Sequence, residues 1–164
     1  MKTGIIIIFH NYEKEININF FISYCKKVRD IEFCLVDNDS KDDTYLLLEE
    51  VKEQCENVSI VNIKKFKSDV SAVKSGARYM YNHFKLNHLG YIHANLLNKQ
   101  YQGFNTIIQT ISVHQEAIIK YDKKIIKSHR KRKTLFQKLF SVAEYLTKLE
   151  LEKQVDNFHY QSKF

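Results

Sequence analysis

The run Ile5-Ile6-Ile7-Ile8-Phe9 constrains the fold more than any other feature of this chain. Its β-branched isoleucines favour an extended backbone. No polar residue interrupts it, so a strand here has no face to give to water. Such a run fits a strand covered on both faces, which is characteristic of mostly parallel sheets flanked by helices. Ile5–Phe9 is therefore expected to be the central strand.

Helical and extended patterns alternate after it. Ile16, Phe20, Phe21, Tyr24 and Val28 recur at helical spacing, and Ile31 to Val36 is a second apolar strand. Asp42 or Asp43 is placed to cap a helix carrying Tyr45, Leu47, Leu48 and Val51, and Val58 to Ile63 reads as a third strand. Ala72 to Phe84 reads as a helix and His88 to Ala94 as a fourth strand. Beyond Asn98 the expectations are a helix over Phe104–Val113 and a strand near Ala117–Tyr121. A last amphipathic helix is expected from the stripe Leu135, Leu139, Val142, Ala143, Leu146 and Leu149. The alternation predicts an α/β, doubly wound, mostly parallel sheet, with ligands held at the carboxyl ends of its strands. At 164 residues and 44% apolar the chain suits one domain.

The net charge of +7 is concentrated. Lys120 to Lys138 holds nine Lys or Arg against Asp122 alone, a local +8, so the rest of the chain is close to neutral. A cationic segment of this kind suits a phosphate-bearing partner or an anionic membrane face, and equally a solvated helix start. There is no apolar stretch of about eighteen residues and no signal-peptide cleavage region, which predicts a cytoplasmic location. Cys25, Cys34 and Cys55 form no CxxC pair and are expected to be free, buried thiols.

The sharpest local feature is Val36-Asp37-Asn38-Asp39-Ser40-Lys41-Asp42-Asp43-Thr44, an acidic, hydroxyl-rich turn directly after a buried strand. Carboxylates and amides in that position can hydrogen-bond a base or ribose, while Asp42 and the hydroxyls can also cap the next helix.

This segment resembles the family 2 glycosyltransferase signature valine-aspartate-aspartate-glycine-serine-x-aspartate-x-threonine, with Val36, Asp37, Ser40, Asp42 and Thr44 in step and Asn38 and Asp39 departing from it. Ile7-Ile8-Phe9-His10-Asn11-Tyr12-Glu13 is similar to that family's first strand and tyrosine-asparagine-glutamate loop. Ala72-Val73-Lys74-Ser75-Gly76-Ala77-Arg78 looks like its helix after the second donor loop, although Ala72 and Gly76 equally suit plain packing on a sheet. The resemblance implies a GT-A, Rossmann-like fold spanning 1–164, with a nucleotide-binding half (1–100) and an acceptor-side half (101–164). It implies a nucleotide-sugar site made by Phe9, Asn11, Asp37, Asn38 and Ser40 with the end of the fourth strand.

In many relatives that strand ends in aspartate-alanine-aspartate-leucine. Here Tyr91-Ile92-His93-Ala94-Asn95-Leu96 keeps Ala94 and Leu96 in step but sets His93 and Asn95 in place of the acids. Mg²⁺ or Mn²⁺ prefers hard anionic oxygen. No metal cofactor is therefore expected. The tail, with His129-Arg130-Lys131-Arg132 ahead of the apolar stripe, resembles the polyprenyl-phosphate branch, which implies Arg130 and Arg132 on the diphosphate and a lipid-phosphate acceptor or anionic membrane surface. An ionised phosphate acceptor needs no general base, so no catalytic residue is assigned. The alternative is an inactive relative that pairs with another glycosyltransferase or with itself.

Two rivals are weaker. Asp37-Asn38-Asp39 also resembles the acid pair of haloacid-dehalogenase phosphatases, but Lys41 stands where that motif wants threonine or valine. The basic cluster belongs to no recognisable nucleic-acid-binding module, so a nucleic-acid partner is not expected.

Overall fold

The computed structural model describes residues 2–94, 111, 116–117, 120, 139–144 and 147–148. Strand β1 spans Lys2–Phe9, helix α1 Ile18–Lys27, β2 Ile31–Asn38, α2 Thr44–Gln54, β3 Val58–Ile63, α3 Asp69–His83, β4 Leu86–His93 and β5 Phe140–Ser141. They form one parallel sheet in the order β3-β2-β1-β4-β5. The isoleucine run is its central strand, as expected, and Ile5 to Phe9 are at most 3% exposed. The α/β architecture read from the sequence is the one found.

Alternation along β1 divides the core. Ile5, Ile7 and Phe9 join Phe21, Leu35, Leu48 and Val51 on the face of α1 and α2, while Ile6 and Ile8 join Val36, Ala72, Ala77 and Met80 on the face of α3. Helix α3 sits very close to the sheet at Gly76, where a Cβ would lie 2.8 Å from Ile6 Cγ2 and 3.0 Å from Val36 Cγ2. Packing alone accounts for Gly76 and for fully buried Ala72. Cys25, Cys34 and Cys55 are buried free thiols, and burial pushes Cys34 up to about 12, far from a reactive thiolate.

Two expectations fail. Glu116, Ala117 and Lys120 are helical, not part of a strand. The stripe through Leu139 is not one continuous helix either, because Phe140–Ser141 pairs with Gly90–Tyr91 as β5 before helical geometry begins at Val142. Gly90 is the reason: its missing Cβ leaves room for the Phe140 ring, whose Cζ would lie 2.6 Å from any Cβ there. Phe140 is 4% exposed and half-buried Leu139 packs on the α3 face, so both pack against the sheet. No helix among the described residues is long and apolar enough to cross a membrane. The expected Phe104–Val113 helix lies outside the described residues apart from Ile111, which is helical.

Candidate functional site

From β1 the chain steps outward to β2 and β3, then crosses back to β4 on the other side of β1. The direction of winding therefore changes between β1 and β4, and the crevice at the carboxyl ends there is the place an open α/β sheet offers a ligand.

On one side of that crevice the loops after β1 and β2 are bonded to each other residue by residue. Asn11 N donates to Ser40 Oγ (2.9 Å), Lys41 N to Asn11 Oδ1 (2.7 Å), Tyr12 N to Thr44 Oγ1 (2.7 Å) and Asp43 N to Glu13 Oε2 (2.7 Å). Asp42 accepts from Glu13 N through Oδ2, and from Thr44 N and Thr44 Oγ1 through Oδ1. Asp43 occupies the N-cap of α2 without a side-chain cap bond, so the neighbouring Asp42 does the capping. Asn11 (φ 47°) and Asp39 (φ 57°) both lie in the left-handed region. Asp39 takes the place of the glycine in the resembling motif, and aspartate enters that region more readily than most residues.

The β3–α3 loop is tied in as well. Asn38 Nδ2 donates to Lys67 O (2.9 Å) while Lys67 N donates to Asn38 Oδ1 (3.0 Å), a two-way bond that aspartate cannot make. The side chain of Asn38 is thus a loop staple. Asp39 Oδ2 accepts from Phe66 N (3.2 Å), and Asp39 Oδ1 pairs with Lys41 Nζ (2.7 Å). With its carboxylate spent in this way, Asp39 is poorly suited to the acid/base role that the phosphatase motif requires.

Asp37 differs from its neighbours. It ends β2 at 2% exposure, accepts from Ser40 N through Oδ2 (3.4 Å), and its Oδ1 has no hydrogen-bond partner. Burial pushes its carboxyl above the ordinary 3.8, against a smaller lowering by the Ser40 hydroxyl and amide. A buried acceptor left unbonded costs about 1–3 kcal/mol, and a donor from outside the fold would recover that cost.

The other side of the crevice is open. A cavity of about 230 Å³ lies between the first turns of α3 (Asp69, Val70, Val73, Lys74), the end of β4 (Tyr91, His93) and Leu139. His93 Nδ1 stands 4.0 Å from Asp69 Oδ1. Burial lowers the imidazole below its ordinary 6.5 more than Asp69 raises it, which favours the neutral ring near pH 7. As metal ligands this wall offers a nitrogen and one largely exposed carboxylate, a poor match to a hard divalent cation. Among the described residues no three His, Cys, Asp or Glu side chains converge to hold a metal.

The residues singled out in the sequence thus have different surroundings. Asp37, Asn38, Ser40 and Asn11 come together at the β1 and β2 ends, and His93 lines the cavity. The ring of Phe9 is fully buried against Tyr12 (5.8 Å between centroids) and serves the core. Asn95, Arg130 and Arg132 lie outside the described residues. Sequence reading misses Asp69 and Phe66, one a helix-start acid among many and the other an aromatic in a lysine-rich stretch with no periodic partner.

No protein-family model matches the chain, and no curated protein matches it. Solved structures similar to it include the mannosyltransferase PcManGT from Pyrobaculum calidifontis in complex with GDP-Man and Mn2+, at 15% identity and TM-score 0.41, over 48% of this chain and 24% of that one. TarS 1-349 from S. aureus is another, at 16% identity and TM-score 0.45, over 57% of this chain and 27% of that one. The chain therefore spans about a quarter of the length of each.

Proposed function

We propose that this chain is a GT-A-like domain of the family 2 glycosyltransferase kind, which binds a nucleotide sugar in the crevice at the carboxyl ends of β1, β2 and β4. The observation that carries the reading is Asp37: a buried carboxylate oxygen without a donor, at the end of a central strand, inside loops already bonded into shape. A nucleobase N–H is the donor it lacks. The matches of Val36, Asp37, Ser40, Asp42 and Thr44 to the donor-loop signature support the same reading.

The branch is proposed from the tail: Arg130 and Arg132 neutralise the diphosphate, and the acceptor is a phosphate or lipid phosphate at the inner membrane face. His93 favours a second reading, in which the pocket holds nucleotide without metal-assisted transfer and the chain acts as a binding partner of an active glycosyltransferase. A neutral imidazole next to the cavity cannot replace an anionic oxygen on Mg²⁺ or Mn²⁺.

A thermal-shift screen of nucleoside diphosphates and nucleotide sugars, with and without Mn²⁺, separates these readings, because binding to the folded state raises the melting temperature by mass action. Stabilisation by nucleotide is expected in both. A gain on adding Mn²⁺ supports metal-assisted transfer. Without that gain, turnover of the nucleotide sugar in a parallel assay supports transfer through Arg130 and Arg132, and binding without turnover supports the binding partner. A flat response to every nucleotide contradicts the proposal.

A further inference from the structure

Leu46, Phe66 and Val70 are the large apolar side chains left exposed among the described residues, and Phe66, at 54%, is the aromatic one. Isolated exposed apolar residues are common and need no account. Phe66 differs because it is both exposed and held. Its N–H donates to Asp39 Oδ2 at 3.2 Å, and its ring meets His10 at 4.9 Å with planes 65° apart. His10 is fixed in turn: its Nδ1 lies 2.8 Å from Asn38 O, and Asn11 Nδ2 lies 3.3 Å from its Nε2. The pattern assigns the proton to Nδ1, which donates to the carbonyl while Nε2 accepts. Three loops, after β1, β2 and β3, thus converge to hold one aromatic ring at the rim where the strands end.

The charge around it is as pointed. Phe66 lies in Lys64-Lys65-Phe66-Lys67, all four exposed, and no described acid forms a salt bridge with Lys64, Lys65 or Lys67. An edge-to-face contact occupies only part of a ring and leaves π surface for a second planar group. A pre-oriented aromatic flanked by lysines suits a ligand that is flat at one end and anionic at the other.

We infer that Phe66 is a stacking platform for the base of a nucleoside diphosphate, with the flanking lysines supplying the field that draws its phosphates. The inference rests on the nucleotide-binding reading and adds to it a residue outside the resembling motifs. A platform of this kind recognises the flat face of the base, whereas hydrogen-bonding to Asp37 recognises its edge.

The chain has no tryptophan, so Phe66→Trp places a single indole reporter at the platform. UDP and GDP are titrated into the native protein, Phe66→Ala and Phe66→Trp, with binding read by calorimetry and, in the last, also by indole fluorescence. Phe66→Ala is expected to melt with the native protein and to bind both nucleotides about ten- to a hundredfold more weakly. Phe66→Trp is expected to keep the affinity, with its emission quenched as base and indole stack. Native-like affinity in Phe66→Ala would overturn the platform and leave the nucleotide reading standing, as would a large fall in its melting temperature, which would make the ring a packing element. Failure of the native protein to bind either nucleotide would overturn both.

Discussion

The two sides of the crevice are built on different principles. Around β1 and β2, loop binds loop through a network of hydrogen bonds reaching from Asn11 to Lys67. Around β4 and α3, a cavity is lined by a depressed histidine, an exposed aspartate and apolar side chains, with a 4.0 Å approach in place of a bond. The contrast teaches that matching residues need not share a role. Asp42 and Thr44 match the donor signature yet work as internal fasteners, and of the acids in the turn Asp37 alone leaves a buried oxygen free.

The largest effect on stability is expected on the bonded side. Thr44 is fully buried and its hydroxyl oxygen accepts from Tyr12 N while donating to Asp42. Thr44→Val keeps the shape but orphans a buried N–H, which should cost about 1–3 kcal/mol. The melting temperature should fall by roughly 2–4 °C for each kcal/mol. A drop of less than about 1 °C would mean that the two loops are not coupled through this residue.

A smaller loss, about 1 kcal/mol, is expected for Asn38→Asp, since a carboxylate would face Lys67 O where the amide now donates. Chemical denaturation measures it. Were this change to stabilise the protein, Asn38 would not be a staple.

The open side should respond to pH. The folded value of His93 is depressed, so its contribution is present above the ordinary 6.5 and is lost as pH falls through the lower folded value. In His93→Gln that part of the acid loss should disappear, while melting near neutral pH changes little. Parallel acid limbs for the two proteins would show that the ring is solvated.

Much of this arrangement is legible in the sequence. The unbroken isoleucine run fits little but a doubly covered strand, and the β-branched stretch Val58–Ile63 coincides with β3 to the residue. Boundaries move where polar side chains take part in regular structure. β2 continues through Asp37 and Asn38 because their backbones still pair with Asn62 and Ile63, and α3 starts at Asp69 because Ser68 caps it. Phe140 misleads because a helical stripe and a strand placing Leu139 and Phe140 on opposite faces share the same apolar residues. What decides between them is Gly90, fifty positions earlier. The site is legible as a set of residue types but not as a division of labour, since nothing local distinguishes the acid that staples from the acid left unpaired.

Asp37→Asn tests the central claim most directly. Ser40 N–H will hold the new amide by its oxygen, which sets Nδ2 where the unpartnered Oδ1 stood. Because the folded carboxyl is raised, the native protein carries no ionisation penalty below 3.8 and the whole of it above the folded value. The stability of the variant relative to the native protein should therefore rise from acid to neutral pH, on top of a pH-independent cost for the buried Nδ2. Calorimetric titration with UDP and GDP at pH 7 should at the same time show affinity about tenfold weaker or worse, as a donor meets the donor of the base. A variant whose relative stability rises with pH and which binds less is the predicted result. Undiminished nucleotide binding in Asp37→Asn would contradict the account, because the buried oxygen that the described fold leaves free would then have no ligand to serve.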